Sequence, residues 1–144
     1  MKHLYSTLSI SLLATCLGVS GASAAEEALA ATLRDVMESQ TAAYDREDES
    51  ETMSYIHTKS PDYSSMQQVL PNQFSNLDVR AELVDFRYLG HGDEFAVARA
   101  KIKTEGESGA TFAANLIDAI VVFHQEEGTW KLWDNEILGV ELVQ

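Results

Sequence analysis

The spacing of apolar residues changes from a helical period to a strand period near residue 78, and this change constrains the fold most strongly. Beyond it, apolar residues alternate over four runs, at about residues 79–88, 94–104, 111–125 and 129–142. Consecutive strands joined by short turns pair with their neighbours as an antiparallel meander. Helices followed by such a sheet predict an α+β domain.

Three helical segments are predicted before the sheet. Residues 26–46 read as one amphipathic helix. Asp48 and Glu51 have capping-box spacing for a second, short helix that extends to Ile56. Residues 64–76 form the third segment, in which Pro71 predicts a kink or a break into two short helices.

Two details of the strands lead to specific predictions. Apolar residues occupy odd positions up to Leu83 and even positions from Val84, and this change of face predicts a β-bulge between them. In the last strand, Trp130 is predicted to lie in the core, against the first helix. Trp133 has the opposite parity and is predicted either to line a pocket or to lie on the second face of the sheet.

Residues 1–24 have the pattern of a signal peptide. A basic start precedes an apolar stretch at residues 4–19, and Ala-Ser-Ala at 22–24 matches a signal-peptidase site. We therefore expect a single mature domain, residues 25–144, that is periplasmic or secreted. The alternative is a lipoprotein anchored through Cys16, although Thr15 is unfavourable directly before such a cysteine. Cys16 is the only cysteine, so the mature domain would lack disulfides and thiolate chemistry.

The charge of the chain excludes several classes of partner. The formal net charge is −13, and the mature domain, with nine basic against 23 acidic residues, would carry −14. Nucleic acids and anionic membranes require a basic surface, so neither is an expected partner. A cationic or neutral ligand is compatible with this charge, and so is a purely solubilising role. The histidines show no paired spacing and no phosphate-binding loop occurs, so no metal or cofactor is predicted.

The run from Ile120 to Leu132 combines an apolar strand, an acidic Gly turn and Trp-Lys. With the order of helices and strands, it resembles the nuclear transport factor 2-like superfamily, which includes ketosteroid isomerase, scytalone dehydratase and polyketide-cyclase-like (SnoaL-like) proteins. The resemblance covers nearly the whole mature chain. It implies that helices pack in the concave face of a curved antiparallel sheet and form a cone. It also implies a homodimer formed through the sheet.

Asp118 is the first candidate for acid–base chemistry. It lies in an otherwise apolar strand, where burial would raise its pKa and suit it to proton transfer. The alternatives are an Asp at the mouth of the pocket and an ion pair with Arg99 or Lys101 of the neighbouring strand. Alternation places Asn115 on the opposite face from Asp118, so at most one of them is expected to look into the cone.

His57 is the second candidate, because it starts the Pro-containing loop that the resemblance places near the opening of the cone. It is interpreted either as a proton shuttle or as a cation that caps the C-terminus of the second helix. Aromatic residues with polar tips suit small apolar ligands but also suit core packing. The predicted pocket residues are Tyr44, His57, Tyr63, Asn115, Asp118 and Trp133.

Three functions follow from these patterns. The leading hypothesis is a non-catalytic domain that binds a small, largely apolar ligand in its cone. The second is an isomerase, dehydratase or cyclase in which Asp118 or His57 transfers a proton and a tyrosine stabilises an enolate. The third is a protein-interaction module whose cone is filled by side chains.

Overall fold

Three helices precede four strands in the structure, a computed structural model that describes residues 20–106 and 113–143. The predicted order of elements is therefore confirmed. The elements are α1 (Ser20–Asp45), α2 (Glu49–Ser54), α3 (Tyr63–Asn76), β1 (Val79–His91), β2 (Phe95–Gly106), β3 (Asn115–Glu126) and β4 (Thr129–Leu142).

The four strands form one antiparallel sheet in the order β1-β2-β3-β4, which is the predicted meander. α1 packs against the sheet, chiefly on β1. We refer to the face covered by the helices as the inner face and to the other as the outer face. The arrangement confirms the predicted α+β fold with N-terminal helices on one face of an antiparallel sheet.

β1 contains the predicted bulge. Leu83 pairs with Ile102 and Asp85 pairs with Lys101, so Val84 is an extra residue without a partner. The bulge lets Leu83 and Phe86 both pack on the core although their positions differ in parity. Val84 itself is exposed. A second register shift, between Tyr88 and Gly90, makes Leu89 an extra residue as well.

The main core lies between α1 and the inner face. Leu33 and Phe123 are fully buried there. Three alanines of β2 have no exposed surface and leave room for the larger side chains of α1: Ala96, Ala98 and Ala100. Trp130 is half-buried and packs against this core, as predicted. Truncating a side chain such as Leu33 to Ala would cost about 2–5 kcal/mol in a core of this kind.

A smaller core joins α2 and α3. Met53, Ile56 and Leu70 are buried together, and Tyr44 and Tyr63 pack against them. α2 begins as predicted, because the Oδ1 atom of Asp48 accepts a hydrogen bond from the backbone N–H of Glu51 at 2.9 Å. The helix ends at Ser54, two residues before the predicted end. α3 continues through Pro71 as one helix.

The hairpin between β3 and β4 turns on Glu127 and Gly128. Their φ angles are 52° and 80°, as in a type I′ turn. This turn has the twist that antiparallel strands require, and glycine adopts its second position without strain. The acidic Gly turn of the sequence therefore fixes the register of the last hairpin.

Some predictions concern residues outside the described ranges. These are residues 1–19 of the predicted signal peptide, including Cys16, and residues 111–112 at the start of the predicted third strand. Cleavage after Ala24 stays a prediction. Within the described ranges, no helix has the length and apolar character needed to cross a membrane.

Candidate functional site

A cavity of about 410 Å³ lies between the inner face of the sheet, α1, α3 and the loop that joins α2 to α3. Its apolar wall contains Met37, Ile56, Met66, Ile102, Ile117, Ala119, Val121, Leu132, Trp133 and Ile137. Its polar lining residues are Gln40, Ser60, Asp62, Ser65, Asp134 and Asn135. Four of the polar residues, Asp62, Ser65, Asp134 and Asn135, are exposed and therefore mark the mouth. The cone is open rather than filled.

A bulge in β4 builds one side of the cavity. Phe123 pairs with Leu132 and Val122 pairs with Asp134, so Trp133 is an extra residue in the strand. In a regular strand, consecutive side chains point to opposite faces. Here four consecutive residues, 132–135, all line the cavity, which regular alternation does not permit.

The loop between α2 and α3 is tied to β4 next to this bulge. The backbone N–H of His57 donates to the carbonyl of Leu132 at 2.8 Å, and that of Leu132 donates to Tyr55 at 2.9 Å. The hydroxyl of Ser60 donates to the carbonyl of Trp133 at 2.7 Å. Ser60 Oγ also accepts from the backbone N–H of Asp62 at 3.1 Å. These bonds place Asp62 and residues 133–135 around the same mouth.

His57 is held in a ring cluster formed with Phe95, His124 and Trp133. Its ring is 4.8 Å from that of Trp133 and 4.9 Å from that of His124, between centroids. His57 is 4% exposed, and its Nδ1 atom accepts a hydrogen bond from the backbone N–H of Lys59 at 3.0 Å. His57 does not cap α2, which ends at Ser54.

Glu126 fixes the loop beside His57. One of its carboxylate oxygens accepts hydrogen bonds from the backbone N–H of Thr58, at 3.0 Å, and from the Thr58 hydroxyl. The other oxygen lies 2.7 Å from Nζ of Lys131. The hydrogen bonds from Lys131 and Thr58 lower the pKa of Glu126 to about 2, against an ordinary value of 4.5. This carboxylate therefore stabilises the loop as an anion.

Asp118 lies on the outer face, opposite the cavity. Ile117 and Ala119 line the cavity on either side of it in β3, whereas Asp118 forms an ion pair with Arg99. The hydrogen bond from Arg99 lowers the pKa of Asp118 and outweighs the opposing effect of burial. The prediction of a raised pKa is therefore wrong, and the alternative of an ion pair with the neighbouring strand describes the structure.

Of the six residues predicted to form the pocket, Trp133 lines the cavity, and the other five are absent from its described lining. Tyr44 and Tyr63 pack against the smaller core, and burial, with the nearby charge of Glu47, raises the pKa of Tyr44. Asn115 lies two residues before Ile117 in β3 and therefore on the same, inner face. Its amide oxygen accepts a hydrogen bond from the Thr104 hydroxyl at 2.8 Å. His57 and Asp118 lie as described above. Whether any of the six binds a ligand stays a prediction.

Sequence reasoning missed most of the cavity-lining residues. Ile117, Ala119 and Val121 are the inner-face residues of a strand that was correctly located, so alternation could have identified them. Asp62 follows Pro61 at the start of α3, and this position indicates only weakly that its side chain lines a cavity. No sequence pattern identified Asp134 and Asn135 as lining residues. In a regular strand, one of these two side chains would point away from the cavity.

The described residues hold no group of three or more His, Cys, Asp or Glu side chains arranged to bind a metal ion.

Comparison with solved structures shows the same fold in other proteins. A nuclear transport factor 2-like protein of unknown function from Pseudomonas putida KT2440 has a TM-score of 0.65 and 12% identity, over 77% of this chain and 86% of that one. Hexachlorocyclohexane dehydrochlorinase LinA-type3 from Novosphingobium barchaimii LL02 has a TM-score of 0.62 and 12% identity, over 83% and 94%. Identities this low show the fold alone.

A third structure, Bd1075 from Bdellovibrio bacteriovorus, has a TM-score of 0.60 and 15% identity over 73% of this chain. This chain spans 38% of the length of that protein. No curated protein matches the sequence at a significant level. A family model described as the C-terminal domain of the anti-sigma-I factor RsgI9 matches residues 35–143, which is most of the chain. The chain therefore belongs to the family of the RsgI9 C-terminal domain, and its fold is that of the nuclear transport factor 2-like superfamily.

Proposed function

We propose that this domain binds a small, largely apolar molecule in the cavity between its sheet and its helices. The observation that carries the proposal is the open cavity of about 410 Å³ with an apolar wall and a polar mouth. Small-molecule sites commonly have volumes of about 300–1,000 Å³, apolar walls and a few polar groups that orient the ligand.

The two residues predicted to act as acid or base, Asp118 and His57, are absent from the described lining of the cavity. Acid–base chemistry of the isomerase or dehydratase type needs a proton donor or acceptor that faces the substrate. Among the described lining residues, the ionisable groups are the carboxylates of Asp62 and Asp134, and no His, Tyr or Lys is present. Asp118 lies on the outer face and His57 in the ring cluster, so neither supports the enzymatic alternative from its present position.

A blocking substitution at the mouth tests the proposal. Ser64 and Ser65 are adjacent, exposed residues of α3, but only Ser65 lines the cavity. Ser65→Trp places a large side chain at the mouth, and Ser64→Trp places the same side chain beside it. A suitable neutral probe is 4-phenyl-1-butanol, titrated into the protein and followed by NMR chemical shifts. We expect wild type and Ser64→Trp to bind it and Ser65→Trp to lose binding.

Equal affinity of all three proteins for the probe would contradict binding in this cavity, as would the absence of saturable binding to wild type. Native mass spectrometry of protein purified from its own host adds an independent observation. A co-purified small molecule that is present on wild type and absent from Ser65→Trp would identify the natural ligand class directly.

We also propose that the mature domain is exported and begins at Ala25, on the strength of the signal-peptide pattern in residues 1–24. Mass spectrometry of the N-terminus of the protein from its own host tests this. A mature protein that begins at Ala25 agrees with the proposal, whereas a lipidated chain that begins at Cys16 would support the membrane-anchored alternative.

A homodimer formed through the sheet is a further part of the proposal. Four apolar side chains of β4 are more than half exposed: Ile137, Leu138, Val140 and Leu142. β4 is also at the end of the sheet order, and edge strands with apolar side chains tend to associate. Light scattering should give the mass of a dimer for wild type and of a monomer for Val140→Lys/Leu142→Lys. A monomeric wild type would contradict the proposal.

A further inference from the structure

We infer that the cavity selects ligands in which the apolar body carries a positive charge, such as hydrophobic amines. The inference rests on the proposed function, since it specifies the ligand class of the same cavity. Two features of the described residues support it: two carboxylates at the mouth and no basic residue in the lining.

The charge at the mouth is negative. Asp62 and Asp134 are exposed lining residues, one from the loop before α3 and one from β4. None of the described lining residues is Lys, Arg or His. An anionic ligand head would therefore meet two like charges, and a cationic head would meet two opposite charges. The net charge of −13 acts in the same direction over longer distances.

Neither carboxylate is neutralised within the described part of the protein. Asp62 is the N-cap residue of α3, yet its side chain makes no capping hydrogen bond. The Oδ1 atom of Asp134 accepts a hydrogen bond from the next backbone N–H, that of Asn135, at 2.8 Å. Within the described ranges, no ion pair connects either carboxylate to Lys, Arg or His. Both charges are thus available to a ligand.

Trp133 links the charged mouth to the apolar wall. It directly precedes Asp134, and its carbonyl accepts the Ser60 hydrogen bond that also orders the backbone of Asp62. Deeper in the cavity, Ile117 and Val121 offer surface for a hydrocarbon body. The arrangement therefore suits an apolar body inside and an ammonium group at the mouth.

Three probes that share one body separate charge from shape: 4-phenylbutylamine, 4-phenyl-1-butanol and 4-phenylbutyrate. Binding is measured by titration at pH 7 and low salt, where the amine is cationic and the acid anionic. We expect the amine to bind about tenfold more tightly than the acid, because the two exposed carboxylates attract one head group and repel the other. The preference should shrink in high salt because screening weakens exposed charge pairs.

Two double variants with the same net charge locate the effect. Asp62→Asn/Asp134→Asn should abolish the preference for the amine and keep the affinity for the alcohol. Asp35→Asn/Asp93→Asn removes two exposed carboxylates that do not line the cavity, and it should keep the preference.

The outcomes distinguish the inference from the proposed function. The inference is overturned if wild type binds amine and acid equally, or if Asp62→Asn/Asp134→Asn keeps the preference. In both cases binding of the alcohol would leave the proposed function intact. If wild type binds none of the three probes, the proposed function fails and the inference fails with it.

Discussion

The guanidinium of Arg99 holds the carboxylate of Asp118 on the outer face of the sheet, with Nε 2.7 Å from Oδ1 and Nη2 bonded to Oδ2. Asp118 pairs directly with Lys101, and Arg99 reaches it diagonally from two residues away. The most unusual polar residue of the sequence is therefore satisfied by a neighbouring strand, on the face away from the cavity. The hydrogen bond from Arg99 lowers the pKa of Asp118 and so favours the anion.

This pairing predicts that Asp118 does not take part in ligand binding. Asp118→Asn should leave the affinity for 4-phenyl-1-butanol unchanged, because the side chain and the cavity lie on opposite faces. Calorimetric titration of wild type and variant measures this. Arg99→Gln is the matched control from the other half of the pair and should behave in the same way. A marked loss of affinity in Asp118→Asn alone would place Asp118 in the binding site after all.

Glu126 gives a prediction about pH. Its pKa of about 2 lies below the ordinary 4.5, so the anion is favoured by folding and the stabilisation is complete above pH 4.5. Glu126→Gln should lower the free energy of unfolding near neutral pH by about 1.5–3 kcal/mol, the range for hydrogen bonds to a charged group. The difference from wild type should shrink as the pH falls from 4.5 towards 2. Urea denaturation of wild type and Glu126→Gln at several pH values measures this difference in the free energy of unfolding.

Glu127→Gln is the control for this series, since Glu127 is adjacent and exposed. It should leave the stability nearly unchanged at every pH. A difference between wild type and Glu126→Gln that stays constant down to pH 2 would show that the carboxylate charge is not what holds Thr58 and Lys131 in place.

Two threonines with opposite environments predict opposite effects of the same substitution. The hydroxyl of Thr52 is fully buried and finds no hydrogen-bond partner among the described residues. Thr52→Val removes that polar group at nearly constant volume and should raise the free energy of unfolding by about 1 kcal/mol. The hydroxyl of Thr58 donates a hydrogen bond to Glu126, so Thr58→Val should lower the free energy of unfolding by about 1 kcal/mol. Thermal denaturation compares the two, and equal destabilisation by both would contradict the assignment.

The hairpin at Gly128 predicts a local backbone effect. Gly128 has φ of +80°, so Gly128→Ala should destabilise the domain by about 1 kcal/mol through strain in the type I′ turn. Gly139 lies in β4 without a positive φ and has open space around the position of a Cβ atom. Gly139→Ala should therefore be neutral or slightly stabilising. Similar losses of stability in both variants would argue against the turn conformation.

The sequence predicted the parts of the fold that depend on local periodicity. Alternation located all four strands, and the change of parity at Leu83 revealed a bulge because apolar residues occur on both sides of it. The bulge at Trp133 was not predicted, since polar Asp134 and Asn135 follow it and leave no apolar pattern to interrupt. That bulge decides which residues line the cavity.

The candidate site was harder to predict because its residues meet only through tertiary contacts. Asp118 attracted attention as a carboxylate among apolar neighbours, but its environment is set by Arg99, 19 positions earlier in the chain. His57 was placed correctly in the loop beside the cone, yet its ring turns to Trp133 and His124. Asp62 lies in a loop, where no periodicity indicates the direction of a side chain.

The most direct test of the central claim is methyl NMR of the wild-type protein with 4-phenyl-1-butanol, read as contacts between the probe and assigned methyl groups. Binding in the cavity predicts nuclear Overhauser effects from the probe to methyls of Met37, Ile117 and Val121, which line it. Effects confined to other methyls, such as that of Met53 in the separate groove between α2 and α3, or no effects at saturating probe, would contradict the account.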